Sequence, residues 1–491
     1  MSPSSTLDEA ARAHTGSHST KNGKHNSNGS STPKVVSKAT RKWHFDTLQV
    51  HSGLENETAH GQCSLPIYNS ASFRFKSSKS IEDAYSFSDG PRSQFYMYSR
   101  LSNVSTLIPT PVRWWLMNVK PSNVGFEKRM AALELGQDAL SFASGAAAIL
   151  TVAQSLVTVG DNAVVSGSVH GGTYHQFEVI LPAMGLECRI MDTNDLEKVE
   201  AAIDERTKFV FTETISNPKF AVADLEGLSA ITRRAKIPLI VDATFSAAGF
   251  FCQPARFGVD IIIHSATKWI GGHGTTLGGV VIETGVSDWQ SNAARYPHLH
   301  AKRGREGTDT SLYDQFGNEA YMSFLRWEFM RDTGACLGAQ AAQQLFIGVE
   351  TLSLRCERQH RNALFISSWL RNHPRIAWVK YLGFEDHPYH QLALKYLKGF
   401  GTVMTFGFKG TVDMAFDVVD SFEIISNTPN VGDAKTTVGH HWSTTHKGCS
   451  VEQNEAMGVH EDLFRLSLGI EKVDDLIADF QQAFDAVPLR T

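Results

Sequence analysis

A lysine beside two hydroxyls stands directly after a run of branched apolar residues. Val259-Asp260-Ile261-Ile262-Ile263 leads into His264-Ser265-Ala266-Thr267-Lys268. The run predicts a buried parallel strand. Trp269-Ile270-Gly271-Gly272-His273-Gly274 predicts a turn after it. Lys268 therefore falls just beyond the C-terminal end of a core strand, where open α/β sheets place their ligands. An amine there can form a Schiff base with a carbonyl. The hydroxyls of Ser265 and Thr267 can bind a phosphate. A surface lysine in a loop is the plain alternative.

Pyridoxal phosphate needs both functions, and other residues extend the same chemistry. Pro238 to Thr244 reads as a strand carrying Asp242 near its end, one strand–helix unit before Lys268. A buried aspartate there would keep a pyridine nitrogen protonated, so that the ring acts as an electron sink; a helix cap is the other use of Asp242. Leu140 to Ile149 passes through Ala143-Ser144-Gly145-Ala146 into an alanine-rich helix. The N–H groups at that helix start make an anion site, or Ser144 is an ordinary cap. Tyr98 and Arg100 form a Tyr-x-Arg pair on one side of an extended segment, and both can donate to a phosphate. Arg465 lies in Phe464-Arg465-Leu466-Ser467-Leu468, a charge among apolar residues that must meet an anion. A substrate carboxylate and an internal salt bridge both fit. His440, His441 and His446 have no supporting Cys/Asp cluster, so no metal site is expected.

These residues require a sheet to hold them at one edge. Strands are predicted at Asn162–Ser166, Lys208–Thr212, Pro238–Thr244, Val259–Ile263 and Gly279–Ile282. They alternate with helical patterns, among them Glu127–Leu135 and Leu225–Ala235, and Gly171-Gly172-Thr173-Tyr174 opens another helix. That alternation predicts an α/β fold: a mostly parallel sheet with helices on both faces. The pattern changes after about residue 335. A long helical region, Leu337–His373, leads to antiparallel strand candidates at Trp378–Tyr381, Val403–Phe408 and Phe464–Leu468. A last helix has apolar residues at Val473, Leu476, Ile477, Phe480 and Phe484. The expected organisation is a tail (1–42), an arm for oligomer contacts (43–95), a large cofactor domain (96–335) and a smaller C-terminal α/β domain (336–491).

Composition excludes several classes. The chain has 491 residues, 42% hydrophobic and 20% charged, which suits a two-domain globular subunit. Its formal charge of −5 gives no basis for nucleic-acid binding, and no apolar run is long enough to span a membrane. Six scattered cysteines without a C-x-x-C pair predict free thiols in a reducing, cytoplasmic setting. Residues 1–42 are rich in Ser, Thr, His, Asn, Gly and Lys and are expected to be disordered.

Taken together, these stretches resemble the cysteine/methionine-metabolism family of pyridoxal-phosphate enzymes, in its fungal O-acetylhomoserine sulfhydrylase (homocysteine synthase) branch. The resemblance covers about residues 43–488. Tyr98-Ser99-Arg100, Ala143-Ser144-Gly145, Gly171 to Tyr174, Asn217-Pro218, Val241-Asp242, His264 to Lys268 and Gly271-Gly272-His273 carry it in the first part. Gly348-Val349-Glu350-Thr351-Leu352, Asn430 to Lys435, Ser443-Thr444-Thr445-His446 and Arg465-Leu466-Ser467 carry it in the second. It implies a fold-type-I transferase with Lys268 as the cofactor-bearing lysine, Asp242 at the pyridine nitrogen and Tyr174 stacked on the ring. It places Ser265, Thr267 and the Gly145-Ala146 backbone on the phosphate, with Asn217 among the cofactor ligands. Tyr98 and Arg100 would reach the phosphate of a neighbouring subunit in a homotetramer, a dimer of dimers. Arg465 would bind the carboxylate of a small amino-acid substrate, with Asn430 beside it.

The branch implies a reaction. Asn430-Val431-Gly432-Asp433 replaces the Ser-Leu-Gly-Gly-like stretch usual in cystathionine lyases and synthases of the family, which favours the sulfhydrylases. γ-Replacement on O-acetyl-L-homoserine with sulfide or a thiol follows. Three departures put the nucleophile in question: Ala243 for a frequent Asn, His441-Trp442 for small residues and proline, and the divergent Gly304–Gln315. A carbon or amine nucleophile, as in fungal secondary metabolism, and a γ-lyase are the alternatives.

Residues 104–120 fit nothing around them. They hold two prolines and Trp114-Trp115-Leu116-Met117, without a period. Removing them joins Asn103 to Pro121-Ser122 and restores the Asn-Pro-Ser/Thr turn that follows Tyr-x-Arg in this family. Val104 and Lys120 can be encoded by codons that begin with GT and end with AG, the usual intron borders. A translated, retained intron is the expected origin. Sequencing the mature transcript checks it: the dominant spliced message should lack codons 104–120. If they persist there, and the shortened protein is no more active or soluble, the segment is a genuine loop.

Overall fold

The computed structural model describes residues 43–54, 122–302, 310–445 and 459–487, with short pieces within 63–79 and 447–458. All of them belong to one compact unit, Val35–Thr491. Tyr98, Arg100, His446, the tail and the segment 104–120 lie outside the described residues.

A seven-stranded sheet organises the large part. Its strands are β1 (Asp138–Phe142), β2 (Asn162–Ser166), β3 (Glu187–Met191), β4 (Thr207–Glu213), β5 (Leu239–Asp242), β6 (Ile261–Ser265) and β7 (Gly279–Glu283), in the order β1-β7-β6-β5-β4-β2-β3. The run β6-β5-β4-β2-β3 is parallel, and β7 pairs antiparallel with both β6 and β1. Alternate side chains enter different cores. Val210, Leu239, Val241, Ile262 and Ile282 join one; Phe209, Phe211, Ile240, Ile261 and Ile263 join the other. Both faces are covered, which is why these strands read as continuous apolar runs.

A second, five-stranded sheet follows: β8 (Ile376–Lys380), β9 (Val403–Phe408), β10 (Ser426–Asn427), β11 (Thr437–His440) and β12 (Phe464–Ser467), in the order β10-β11-β12-β9-β8. It is antiparallel except for the β10–β11 pair. Its core takes Leu476, Phe480 and Phe484 from the last helix, Val473–Ala486. The helix Leu352–Arg371 connects the two parts. Leu352 and Cys356 pack into the core of the large sheet, and Ala363, Ile366 and Leu370 pack under the small one.

Several boundaries differ from those expected. β6 begins at Ile261 and runs to Ser265, because its ladder with β7 continues to Gly279. The apolar stretch at Leu140 is an edge strand. The helix expected from Glu127 starts at Ser122, and the single helical region Leu337–His373 is two helices that break at Thr351. From the expected arm, Phe45–His51 forms a helix with Leu48 and Gln49 buried, and Gln49 exchanges hydrogen bonds with Ser353.

Carboxyls cluster at the edge of the sheet away from Lys268. Glu283 and Asp138 face each other across β7 and β1. Burial pushes Glu283 up to about 8, against a hydrogen bond from Trp289 Nε1, and Asp138 and Asp260 add to the rise. An acid raised on folding stabilises the fold below its ordinary value of 4.5, and that contribution disappears as the pH climbs to about 8. Glu283→Gln removes the titration. Its melting temperature relative to the parent should rise by about 2 to 4 °C between pH 5 and pH 8. A pH-independent difference in thermal melts would show that Glu283 does not ionise in this range.

Candidate functional site

The parallel strands β4, β5 and β6 end in Glu213, Asp242 and Ser265. Lys268 follows in the turn after Ser265, with its N–H donating to the Ser265 carbonyl at 3.2 Å. Its Nζ donates to Asn430 Oδ1 at 2.8 Å. Burial, then the charge of Arg465, lowers the amine to about 8 from 10.5. A substantial neutral fraction near neutral pH makes this amine a competent nucleophile and base.

Asn430 belongs to a loop held from several directions. Thr437 Oγ1 donates to the Asn430 carbonyl at 3.0 Å, the Gly432 N–H donates to Ser467 Oγ at 3.1 Å, and Gln359 Nε2 donates to the Asp433 carbonyl at 2.7 Å. Gly432 has φ +73°, and a Cβ there would lie 2.6 Å from the Trp269 ring. Only glycine lets the loop close this tightly over the turn that carries Lys268.

Arg465 projects from β12 into the same region. Its Nη1 donates to Asn217 Oδ1 at 3.1 Å and its Nη2 to the Asn430 carbonyl at 3.2 Å. Nε has no hydrogen-bond partner among the described residues. Burial alone brings the guanidinium down to about 9. A buried cation held by two neutral oxygens, with a donor to spare, fits an incoming carboxylate.

On β5, Asp242 Oδ1 accepts from the Thr244 N–H at 2.9 Å and from Thr244 Oγ1 at 2.6 Å. Asp242 thus caps the following turn while it faces the site edge. Burial pushes its carboxyl up, and the two Thr244 bonds oppose the rise. Thr244 Oγ1 also accepts from the Ser265 N–H at 2.8 Å, which ties the ends of β5 and β6 together. The two residues are 21 apart in sequence, so no local pattern signals this link.

The helix Gly145–Leu156 begins against Ser265. A Cβ on Gly145 would lie 2.8 Å from Ser265 Cα, and one on Gly279 would lie 2.2 Å from the Ser144 carbonyl. Ser144 Oγ caps the Ala147 N–H at 3.1 Å. The first-turn N–H groups of Gly145 and Ala146 have no acceptors within the helix and make a cradle for an anion. Thr267 Oγ1 exchanges bonds with Gly278, at 3.1 and 3.3 Å. Tyr174 stands on the short helix Gly171–His175, its ring against the core and its hydroxyl donating to Glu178 at 3.2 Å. His440 bonds Ser443 Oγ and the Glu461 carbonyl, and His441 bonds Thr445 Oγ1.

The fold therefore gathers two groups. Lys268, Asn430, Arg465 and Asn217 are joined by direct hydrogen bonds, and Asp242, Thr244, Ser265 and the start at Gly145 form a second contact chain along the sheet edge. A neutral-capable amine, a buried carboxylate, an anion cradle at a helix start and a spare guanidinium N–H together fit pyridoxal phosphate and an amino acid.

Comparison with known proteins agrees. The family model for the Cys/Met metabolism PLP-dependent enzymes matches residues 46–485. The chain is 44% identical to the sulfhydrylase-like protein lolC1 of Epichloe uncinata, over 90% of this chain and 88% of that one. It is 43% identical to the homocysteine/cysteine synthase of Saccharomyces cerevisiae, over 90% and 98%. Among solved structures, a Campylobacter jejuni protein assigned as an O-acetylhomoserine (thiol)-lyase superposes with a TM-score of 0.80 and 31% identity, covering 90% of this chain and all of that one. That structure carries a pyridoxyl-lysine phosphate. The chain belongs to the Cys/Met-metabolism family of pyridoxal-phosphate-dependent enzymes.

Proposed function

We propose that the protein catalyses γ-replacement on O-acetyl-L-homoserine, with sulfide or a thiol as nucleophile, giving homocysteine or a related amino acid plus acetate. The observation that carries this reading is the amine of Lys268, bonded to Asn430 and 162 residues away from it, beside a guanidinium with an unused donor. Relatives named homocysteine synthases and an O-acetyl-L-homoserine sulfhydrylase, at 37 to 43% identity, supply the reaction class.

Pyridoxal phosphate, when bound, supplies an electron sink for the substrate's α-carbon. Arg465 grips the substrate carboxylate and fixes which Cα–H bond faces Lys268. Asn430 orients the Lys268 amine through Oδ1. The Lys268 amine moves one proton at a time: it takes the Cα proton and hands it on, and only then, neutral again, takes a proton from Cβ. Acetate departs from Cγ, and after the nucleophile has added the same amine returns a proton first to Cβ and then to Cα. With pyridoxal phosphate bound, Asp242 would hold its negative charge at the pyridine nitrogen, Tyr174 would cover the ring, and Ser265, Thr267 and the N–H groups of Gly145 and Ala146 would hold the phosphate. Asn217 keeps Arg465 aimed. In a tetramer, Tyr98 and Arg100, which lie outside the described residues, would complete the phosphate site from a neighbouring copy.

The test is product identification by mass. The enzyme is incubated with O-acetyl-L-homoserine and, in turn, sulfide, methanethiol, a secondary amine and a stabilised carbanion donor. Homocysteine or methionine, each with one acetate released, is expected. Adducts formed only with the amine or carbon donor would replace the sulfur assignment, and 2-oxobutanoate as the main product would make the enzyme a γ-lyase.

A further inference from the structure

Glu213 has no role in the chemistry above, yet it bonds two of the site's supports, the backbone N–H groups of His170 and Asn217. It ends β4 in register with Asp242 on β5, so the two carboxyls stand side by side at neighbouring strand ends. Both residues are buried, at 6% and 8% exposure. Glu213 Oε1 accepts the His170 N–H at 2.7 Å. His170 is the N-cap of the helix Gly171–His175, which carries Tyr174. The backbone N–H of Asn217, the residue that steadies Arg465, bonds the same carboxyl. Glu213 also lines a polar cavity of about 10 Å³, room for a single water, together with Ser166, Asp192, Thr193 and Ser216.

Two adjacent buried carboxyls oppose each other's ionisation, so that one of them is pushed up strongly. Asp242 receives two bonds from Thr244, and the neighbouring His264 also favours its charge. Glu213 lies beside that charge and is raised well above the usual carboxylate range by burial and by Asp242.

We propose that Glu213 is a positioning residue. It is a neutral carboxylic acid that ties the Tyr174 helix and the Asn217 turn to the Asp242 strand end, and it leaves Asp242 as the single charge there. The proton of Glu213 faces the polar cavity, while its carbonyl oxygen accepts from His170. The ring-covering side chain and the carboxylate-binding arginine thereby share one anchor. This inference rests on the proposed cofactor and substrate roles of Asp242, Tyr174 and Arg465.

Glu213→Gln and Glu213→Ala separate the anchor from the charge. In the full chain, Glu213→Ala should raise the dissociation constant for pyridoxal phosphate about tenfold, the loss of roughly one buried hydrogen bond. Glu213→Gln, which keeps an accepting oxygen, should restore most of that affinity. The carboxyl region of the infrared spectrum should contain a protonated-acid band that Glu213→Gln removes, with or without cofactor. Three results would overturn the inference: no such band lost, a Glu213→Gln protein as weak as Glu213→Ala, or a Glu213→Ala protein that binds as tightly as the parent. Failure of the parent protein to bind pyridoxal phosphate would instead refute the cofactor assignment, and the infrared band of the cofactor-free protein would still decide the protonation of Glu213.

Discussion

Lys268→Ala should lower turnover of O-acetyl-L-homoserine by roughly 10³-fold or more while the protein stays folded. The amine has two jobs in the proposed reaction, to hold the cofactor and to move protons at Cα and Cβ. No other described amine shares its place: it alone reaches Asn430 Oδ1, at 2.8 Å. Removing it leaves the sheet intact, because Ser265 remains tied to Thr244 and the turn keeps its backbone bonds. Steady-state rates, with circular dichroism as the control for folding, check this. Activity within tenfold of the parent would mean that another group is the base. The depressed amine adds a pH signature. Lys268 is held near 8, so labelling of the cofactor-free protein by an amine-reactive reagent should rise through about that pH and be lost in the variant.

Arg465→Ala should raise KM for the amino acid far more than it alters cofactor binding. Losing a buried charge-assisted contact costs about 2 to 5 kcal/mol, which is roughly 30-fold to several-thousand-fold in affinity. Its two protein partners are neutral oxygens, those of Asn217 and Asn430, so the guanidinium keeps its charge for a ligand. Arg465→Lys should recover part of the loss, because a point charge replaces a planar fork. Unchanged saturation kinetics in the alanine variant would reduce Arg465 to a tie between Asn217 and the Asn430 loop.

The parallel core was legible because burial on both faces leaves apolar runs such as Val241 and its neighbours, and helix Leu225–Ala235 was legible from its period. The edge strand Glu187–Met191 is only half-buried, and Glu187 and Arg189 break its apolar pattern, so nothing marked it as a strand. The break at Thr351 was hidden because apolar residues continue on both sides of it. Strand Thr437–His440 contains a glycine and runs for four residues, too short for a period to show. Within the site, Lys268, Asp242 and Arg465 stood out as polar groups at the ends or in the middle of apolar strands. The Lys268–Asn430 bond spans 162 residues and could not be read from local pattern. Glu213 had one available signal: an acid at the end of the strand that, in a parallel sheet, becomes the neighbour of Asp242.

Lys268 is the residue proposed to carry pyridoxal phosphate. Borohydride reduction of the holoenzyme, followed by proteolysis and peptide mapping, tests it most directly. One pyridoxyl-modified peptide is expected, with the label on Lys268. A label on another lysine, or none on folded protein incubated with the cofactor, would contradict it.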